Sequence, residues 1–182
     1  PAKFVFMDMI LADNIQHLTE NIGFKNDEII WLYSHFTDIK IAPTTYTIDQ
    51  VLAGFVGKPT REEVDGKIKR FFYEDQDNFL TCYLRSENSP YVERCEYVSR
   101  GILVRKDYFS YTRYCTEYFI PKNNQANLIE RRFYNEDGTV AYSMQMADGR
   151  EVYRFPDRYL VGRQELIRYF MQTLQLTKQD LV

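Results

Sequence analysis

Between Gly66 and Phe155 the chain alternates between apolar and polar residues with a period of two, imperfectly but repeatedly. Leu80, Cys82 and Leu84 oppose Thr81, Tyr83 and Arg85. Val140, Tyr142, Met144 and Met146 oppose Thr139, Ala141, Ser143 and Gln145, while Ile129, Arg131 and Phe133 oppose Leu128, Glu130, Arg132 and Tyr134. That period is the signature of half-buried strands. Seven segments carry it, KIKRFFY, FLTCYLR, YVERCEYV, ILVRKDYF, NLIERRFY, VAYSMQM and EVYRF, all rich in β-branched and aromatic residues. Turn residues separate them: Asn135-Glu136-Asp137-Gly138 and Ala147-Asp148-Gly149 carry Asp-Gly pairs, and 74–78 and 86–90 are short polar loops. Links this short join antiparallel neighbours, since a parallel crossover needs a dozen residues or more. The expectation is an extended antiparallel β-meander, apolar on one face and carrying charge and rings on the other. A strand of eight residues spans about 26 Å, and long exposed edges invite pairing with another chain.

The flanks read differently. Phe4 to Met9 predicts a short strand; Asp13 or Asn14 caps a helix to about Asn21 with Ile15, Leu18 and Ile22 at helical spacing, and Gly23 ends it. Ile29 to Tyr33 predicts a strand. Thr47-Ile48-Asp49-Gln50 is a capping box opening a short helix to Phe55, and Gly57 to Asp65 reads as a polar loop. After Gly162 a helix carries Leu166, Ile167, Phe170, Met171 and Leu174 as its apolar stripe. Strand, helix, strand, helix, long β-insert, helix, strand is the order of a meander spliced into an α/β domain, an α+β chain. Both ends read as cut: the chain opens without Met and closes on the strand-like Asp180-Leu181-Val182.

Composition narrows the functional classes. A net charge of −3 over 182 residues gives no global pull toward nucleic acid. The local basic clusters, Lys67-Lys69-Arg70, Arg105-Lys106 and Arg131-Arg132, alternate with apolar residues and read as a solvated sheet face. Cys82, Cys95 and Cys115 are odd in number and lack CxxC spacing, which predicts free thiols. Nucleotide-binding, P-loop, zincin and nucleophile-elbow motifs are absent from the sequence. Glu74, Asp75 and Asp77 read as a hairpin loop ahead of a cation site, and Asp8 and Asp13 as helix-capping residues. The densest surface signal is 106–119, where Tyr108, Tyr111, Tyr114 and Tyr118 accompany Arg105 and Arg113. Of the 29 Phe, Tyr and Trp residues, 19 lie between Phe71 and Tyr159, and 106–119 alone holds more rings than one buried side takes, which reads either as an interface or as two-sided packing in a sheet covered on both faces. Tyr and Arg bury area while keeping a polar tip, as interface residues do.

Three stretches, Asp8 to Thr19, Arg105 to Tyr114 and Phe133 to Thr139, resemble the GtfA family, the glycosyltransferases of the accessory Sec system that modify serine-rich repeat adhesins in Gram-positive cocci. The resemblance runs from about Lys3 to Val182. It implies a parent of GT-B type with two Rossmann-like domains and a β-meander inserted into the first. It implies transfer of N-acetylglucosamine from UDP-GlcNAc to Ser and Thr of the adhesin, a GtfB-type partner subunit, and a meander used for pairing and for holding the acceptor polypeptide. Under it, residues 1–65 are flanking elements, 66–161 the meander, and 162–182 a helix and the start of a strand returning to the missing domain. The parent's nucleotide-sugar site falls outside the chain, so no catalytic, cofactor-binding or metal residue is assigned. Glu20 and Glu28 match the E-x7-E spacing of retaining glycosyltransferases, but Gly23 and Asn26 break the helix between them. The expected partner-facing residues are Tyr108, Tyr111, Arg113 and Tyr114. Localisation follows as cytoplasmic, with a place at the inner face of the membrane left open, as is self-association. Two competing readings are a hydrophobic-ligand carrier closed into a β-barrel and a single-strand nucleic-acid binder using its rings as stacking platforms.

Overall fold

Two-residue turns set the order of the sheet. Asp148 and Gly149, at φ +49° and +74°, turn β10 (Val140–Ala147) into β11 (Arg150–Arg154). Positive φ at both central residues matches the right-handed strand twist, and Gly149 takes it without a Cβ penalty. Asn123 and Asn124 do the same between β8 (Arg113–Lys122) and β9 (Gln125–Tyr134). Arg100 and Gly101 do so between β6 (Val92–Ser99) and β7 (Ile102–Phe109). With β3 (Arg61–Asp65), β4 (Ile68–Phe72), β5 (Phe79–Leu84) and β12 (Tyr159–Val161), ten strands pair in strict sequence order, each antiparallel to the next. The computed structural model describes residues 2–74, 76–177 and 180. The expected closing strand at Asp180-Leu181-Val182 therefore lies largely outside the described residues.

The α+β meander is present, and it is open. β3 and β12 are its two edges and do not meet, which overturns the closed-barrel carrier. The sheet also starts earlier than expected. Arg61 to Asp65, read as loop because four of its five residues are charged, pairs with β4 from Arg61↔Phe72 to Asp65↔Ile68. All five of its residues are exposed, so it has no buried side to produce alternation. Four charges in five residues also blunt this edge against further pairing.

The flanking elements match their signals, with three shortenings, the first being the strand expected to Met9, which ends at Phe6. β1 (Phe4–Phe6) pairs in parallel with β2 (Ile29–Trp31), and α1 (Ile15–Asn21) crosses between them. Asn14 is its cap, accepting from the Gln16 amide at 2.8 Å. The expected strand 29–33 gives way after Trp31 to α2 (Leu32–His35). The Thr47–Gln50 capping box forms as expected, but its helix α3 (Ile48–Leu52) stops before Phe55. α4 (Arg163–Thr173) buries Leu166 and Phe170.

Paired residues share a face and neighbours along a strand alternate, so register assigns every side chain to a front or a back. The expectation of one apolar face fails in an instructive way, because the apolar side changes over along the sheet. On the front, Tyr108, Cys115, Phe133, Tyr142, Met144 and Tyr153 of β7–β11 pack beneath α1, β2, α2 and α4. On the back, Phe71, Leu80, Cys82, Leu84, Val92, Cys95 and Phe109 of β4–β7 pack beneath α3. The chain passes between the covers around one end of the sheet, where the Thr45 and Tyr46 amides both donate to the Ser110 carbonyl at 3.1 Å. Each half is thus covered on one side and open on the other.

His35 links α2 to α4. Its Nε2 lies 2.8 Å from Thr173 Oγ1, and its ring meets Phe36 and Phe170 edge-on. Burial lowers its pKa. The unfolded chain therefore takes up a proton here first, so this residue's contribution is present above pH ~6.5 and is lost as pH falls below it. Stability is expected to fall from pH 7.5 to 5.5 less steeply in His35→Gln than in the parent, as read by thermal unfolding; parallel pH profiles would refute this. Among the described residues, no helix is long and apolar enough to cross a membrane.

Candidate interaction surface

The 106–119 stretch is β7, a tight turn and β8, and its four expected partner-facing residues go to three different places. Tyr108 is on the front face and buried, and its hydroxyl donates to Glu117 at 2.7 Å. Tyr114 sits in a β-bulge: Tyr108 pairs with Cys115 and Phe109 with Arg113, leaving Tyr114 between them. A bulge re-aims its side chain, and here the ring meets Trp31 and Tyr108 at centroid distances of 5.9 and 6.4 Å. Burial raises the pKa of both hydroxyls. Tyr111 is in the turn, where it accepts from the Lys40 amide at 3.0 Å and donates to Glu136. With the Glu136 amide donating to Asp38 at 2.7 Å, it clips segment 38–40 to two hairpin tips. Arg113 lines a surface groove on the back face. Tyr108 and Tyr114 belong to the front core of this chain, and their rings stand where the flank docks.

The groove lies on the back face where the α3 cover ends. It has a volume of about 440 Å³ and is lined by Phe55, Tyr97, Arg105, Asp107, Arg113 and the 136–138 turn, among others. Its floor is organised by Asp107, which is 1% exposed. Tyr97 donates to Asp107 at 2.8 Å, Thr116 at 2.6 Å and Arg105 Nε at 2.9 Å, while Arg113 stands at 4.0 Å. Burial opposes the Arg105 charge, but hydrogen bonding to Asp107 and its negative charge prevail and raise the guanidinium's pKa. Burial, then the Asp107 charge, raises that of Tyr97. A carboxylate held by this many donors is a structural anchor. Arg105-x-Asp107, same-sided on a strand, was the available sequence signal, but neither Asp107 nor its front-face counterpart Glu117 stood out among so many carboxylates.

Glu117 plays the same part on the front. It is buried and accepts from Tyr108 and from Arg131 Nε, each at 2.7 Å. It lies on one register row that runs Glu63, Arg70, Thr81, Glu96, Lys106, Glu117, Arg131 across seven strands. Charges alternate along it, and ion pairs join Arg70 to Glu63 at 3.7 Å, Lys106 to Glu96 at 3.1 Å and Arg131 to Glu117 at 2.7 Å. In the basic clusters, Lys69, Arg70, Lys106 and Arg131 are cross-strand partners of carboxylates, while Arg105 and Arg132 pair with Asp107 and Glu130 on their own strands, so these six cations are already engaged.

The open halves carry rings capped by cations. On the front, the Arg61 guanidinium stands 3.9 Å from the Phe72 centroid and Arg94 3.9 Å from Tyr83. On the open back, Arg113 lies 4.4 Å from Tyr134, Arg132 4.8 Å from Tyr118 and Arg154 5.7 Å from Tyr159. These ring faces are occupied, which disfavours the stacking of bases. Arg132 also pairs with Glu130 at 3.0 Å. The result is an open surface of aromatic rings, guanidinium groups and small hydroxyls.

The remaining candidates resolve as structural. Glu20 accepts from Gln16 Nε2 at 2.8 Å, and Glu28 accepts from the Lys25 amide at 2.9 Å. Asp13 accepts from the Asn14 amide at 2.8 Å, and Asp8 pairs with Arg163 at 2.7 Å. Of the 74–78 carboxylates, Asp75 lies outside the described residues. Among the described residues, no group of three or more His, Cys, Asp and Glu is placed to hold a metal ion. All three cysteines are free, as expected, and buried.

Fold and surface together define an open β-meander domain carried on an α/β flank. Residues 61–157 match the GtfA extended beta-sheet domain, and the chain belongs to that family. It is 65% identical, over its whole length, to the UDP-N-acetylglucosamine–peptide N-acetylglucosaminyltransferase GtfA subunit of Streptococcus gordonii, of which it spans 36%. Among solved structures, a chain of the GtfA/B complex superposes with a TM-score of 0.92 at 66% identity, covering 97% of this chain and 35% of that one. The pneumococcal O-GlcNAc transferase GtfA in complex with UDP and GlcNAc gives 0.92 at 59% identity, over 99% and 36%. The chain thus spans about a third of the length of the curated relatives it matches.

Proposed function

We propose that this chain is the sheet domain, with its flanking elements, of a GtfA-type glycosyltransferase subunit whose parent transfers N-acetylglucosamine from UDP-GlcNAc to Ser and Thr of serine-rich repeat adhesins. The transfer chemistry belongs to the rest of the parent. The sheet's work is association with a GtfB-type partner subunit and positioning of the acceptor polypeptide. Residues before Arg61 and after Val161 are elements of a Rossmann-like domain into which the meander is inserted.

The observation that carries the reading is the exposed back of β8–β12. Its Arg132, Arg154, Tyr118 and Tyr159 are half-buried or exposed, with no element of the described chain covering them. Arg and Tyr dominate interface hot spots because they combine contact area with directional polar groups. Buried Asp107 and Glu117, saturated by their neighbours, support a scaffold more than an active site. Likeness to a chain of a GtfA/B complex supports a GtfB-type partner, and to a structure holding UDP and GlcNAc, that donor. Of the four residues first expected at the interface, Arg113 is kept; Tyr108, Tyr111 and Tyr114 act by holding the scaffold.

The test is size-exclusion chromatography with light scattering on the full-length parent subunit mixed with its partner. Tyr118→Ala with Arg132→Ala is expected to weaken the complex by about 2–4 kcal/mol while leaving the melting temperature close to the parent's. Unchanged association by a folded double variant would remove the open back from the interface. An unmodified Ser/Thr-rich peptide, followed by fluorescence anisotropy, tests the acceptor role on the same variants.

A further inference from the structure

Cys82 on β5 and Cys95 on β6 are register partners on the back face. Both are 0% exposed, both are free, and their Sγ atoms are 3.3 Å apart. Directly opposed residues of an antiparallel pair have Cα atoms about 4.5–5.5 Å apart, and a disulfide takes roughly 4.4–6.8 Å. The backbone is already within range. Closing the sulfurs to about 2.05 Å requires only side-chain rotation. Access is the obstacle: the pair lies in the cluster capped by Val51 of α3. Burial, with Cys82 and Asp107 nearby, raises the Cys95 pKa and keeps it a thiol. Cys115 is also buried, but it lies in the other cluster, on the opposite face.

We propose that Cys82 and Cys95 form a cross-strand dithiol, shielded by α3, that hydrogen peroxide closes to a disulfide when α3 lifts. One sulfur attacks the peroxide, the O–O bond breaks, and a sulfenic acid forms with release of water. The second sulfur displaces hydroxide from the sulfenic sulfur, the S–S bond forms, and a second water leaves. Two thiols lose two protons and two electrons, and the peroxide takes both. The link staples β5 to β6 across the loop that carries Ser86 to Pro90.

The experiment treats the full-length protein with hydrogen peroxide, quenches with iodoacetamide and maps peptides without reduction. A Cys82–Cys95 linked peptide is expected. It should form roughly ten-fold faster or more in Val51→Ala, because burial controls thiol oxidation, with Cys115 still alkylated. If Val51→Ala does not fold, the parent in urea below its unfolding transition supplies the opened state. Thiol loss spread over all three cysteines without that link would overturn the proposal. So would a failure of the link to form in the opened state, or a rate indifferent to opening.

Discussion

Tyr142→Ala should destabilise the chain by about 3–5 kcal/mol, the usual cost of deleting a large buried ring. Tyr142 is 1% exposed at the centre of the front cluster. Its ring stacks on Phe133 at 4.4 Å and on Phe155 at 4.8 Å, and meets Phe36 of the flank edge-on at 5.9 Å. Its hydroxyl donates to the Tyr33 carbonyl at 2.7 Å. One side chain therefore joins β10 to the segment that carries α2. Tyr142→Phe keeps the ring and strands the carbonyl, which should cost about 1–2 kcal/mol. Urea unfolding gives both numbers. A loss below ~1 kcal/mol for Tyr142→Ala would mean that the flank does not depend on this contact for docking.

Asp107→Ala comes next, at about 2–4 kcal/mol, because the carboxylate is buried and the fully buried Thr116 hydroxyl loses its acceptor, while Arg105, 32% exposed, keeps some access to water. Arg105, Tyr97 and Thr116 would all lose their acceptor at once. Asp107→Asn keeps one carbonyl acceptor and should cost less. The exposed pair Arg61–Glu63, 3.3 Å apart, is the control: Glu63→Ala should stay within about 1 kcal/mol and Asp107→Ala should not. Equal costs in denaturant unfolding would show that Asp107 is no anchor. Salt should discriminate as well, since screening acts on the exposed pair and far less on the buried one.

Local chemistry was legible wherever one residue type does one job. The Thr47 capping box, the Asn14 cap, the Asp148-Gly149 turn and the apolar stripe of α4 are all decided within a few residues. β3 was not legible, because a strand exposed on all five residues has no apolar period. Of the candidate surface, ring density was legible and ring direction was not. The ring density of 106–119 was real, but a one-residue bulge turned Tyr114 inward, and alternation put Tyr108 inward and Arg113 outward. Bulges depend on the partner strand's length and register, which a single segment does not carry.

By itself the sequence determined a series of short-linked strands, hence an antiparallel meander, and flanks of α/β type; that the sheet stays open came from the tertiary structure. Strand period and turn length are local quantities, set by backbone sterics over two to ten residues. Only the tertiary structure decided which face of each half is covered. α3 caps the back of β4–β7, while α1, β2, α2 and α4 cap the front of β7–β11. Apolar residues therefore point to opposite sides along one sheet, and the same alternation that predicts a strand is silent on which side will meet a helix. That choice rests on the path of segment 36–47 around the sheet's end, held by Ser110, Tyr111 and Asn135 across dozens of residues of sequence. Burial is settled by such long-range contacts.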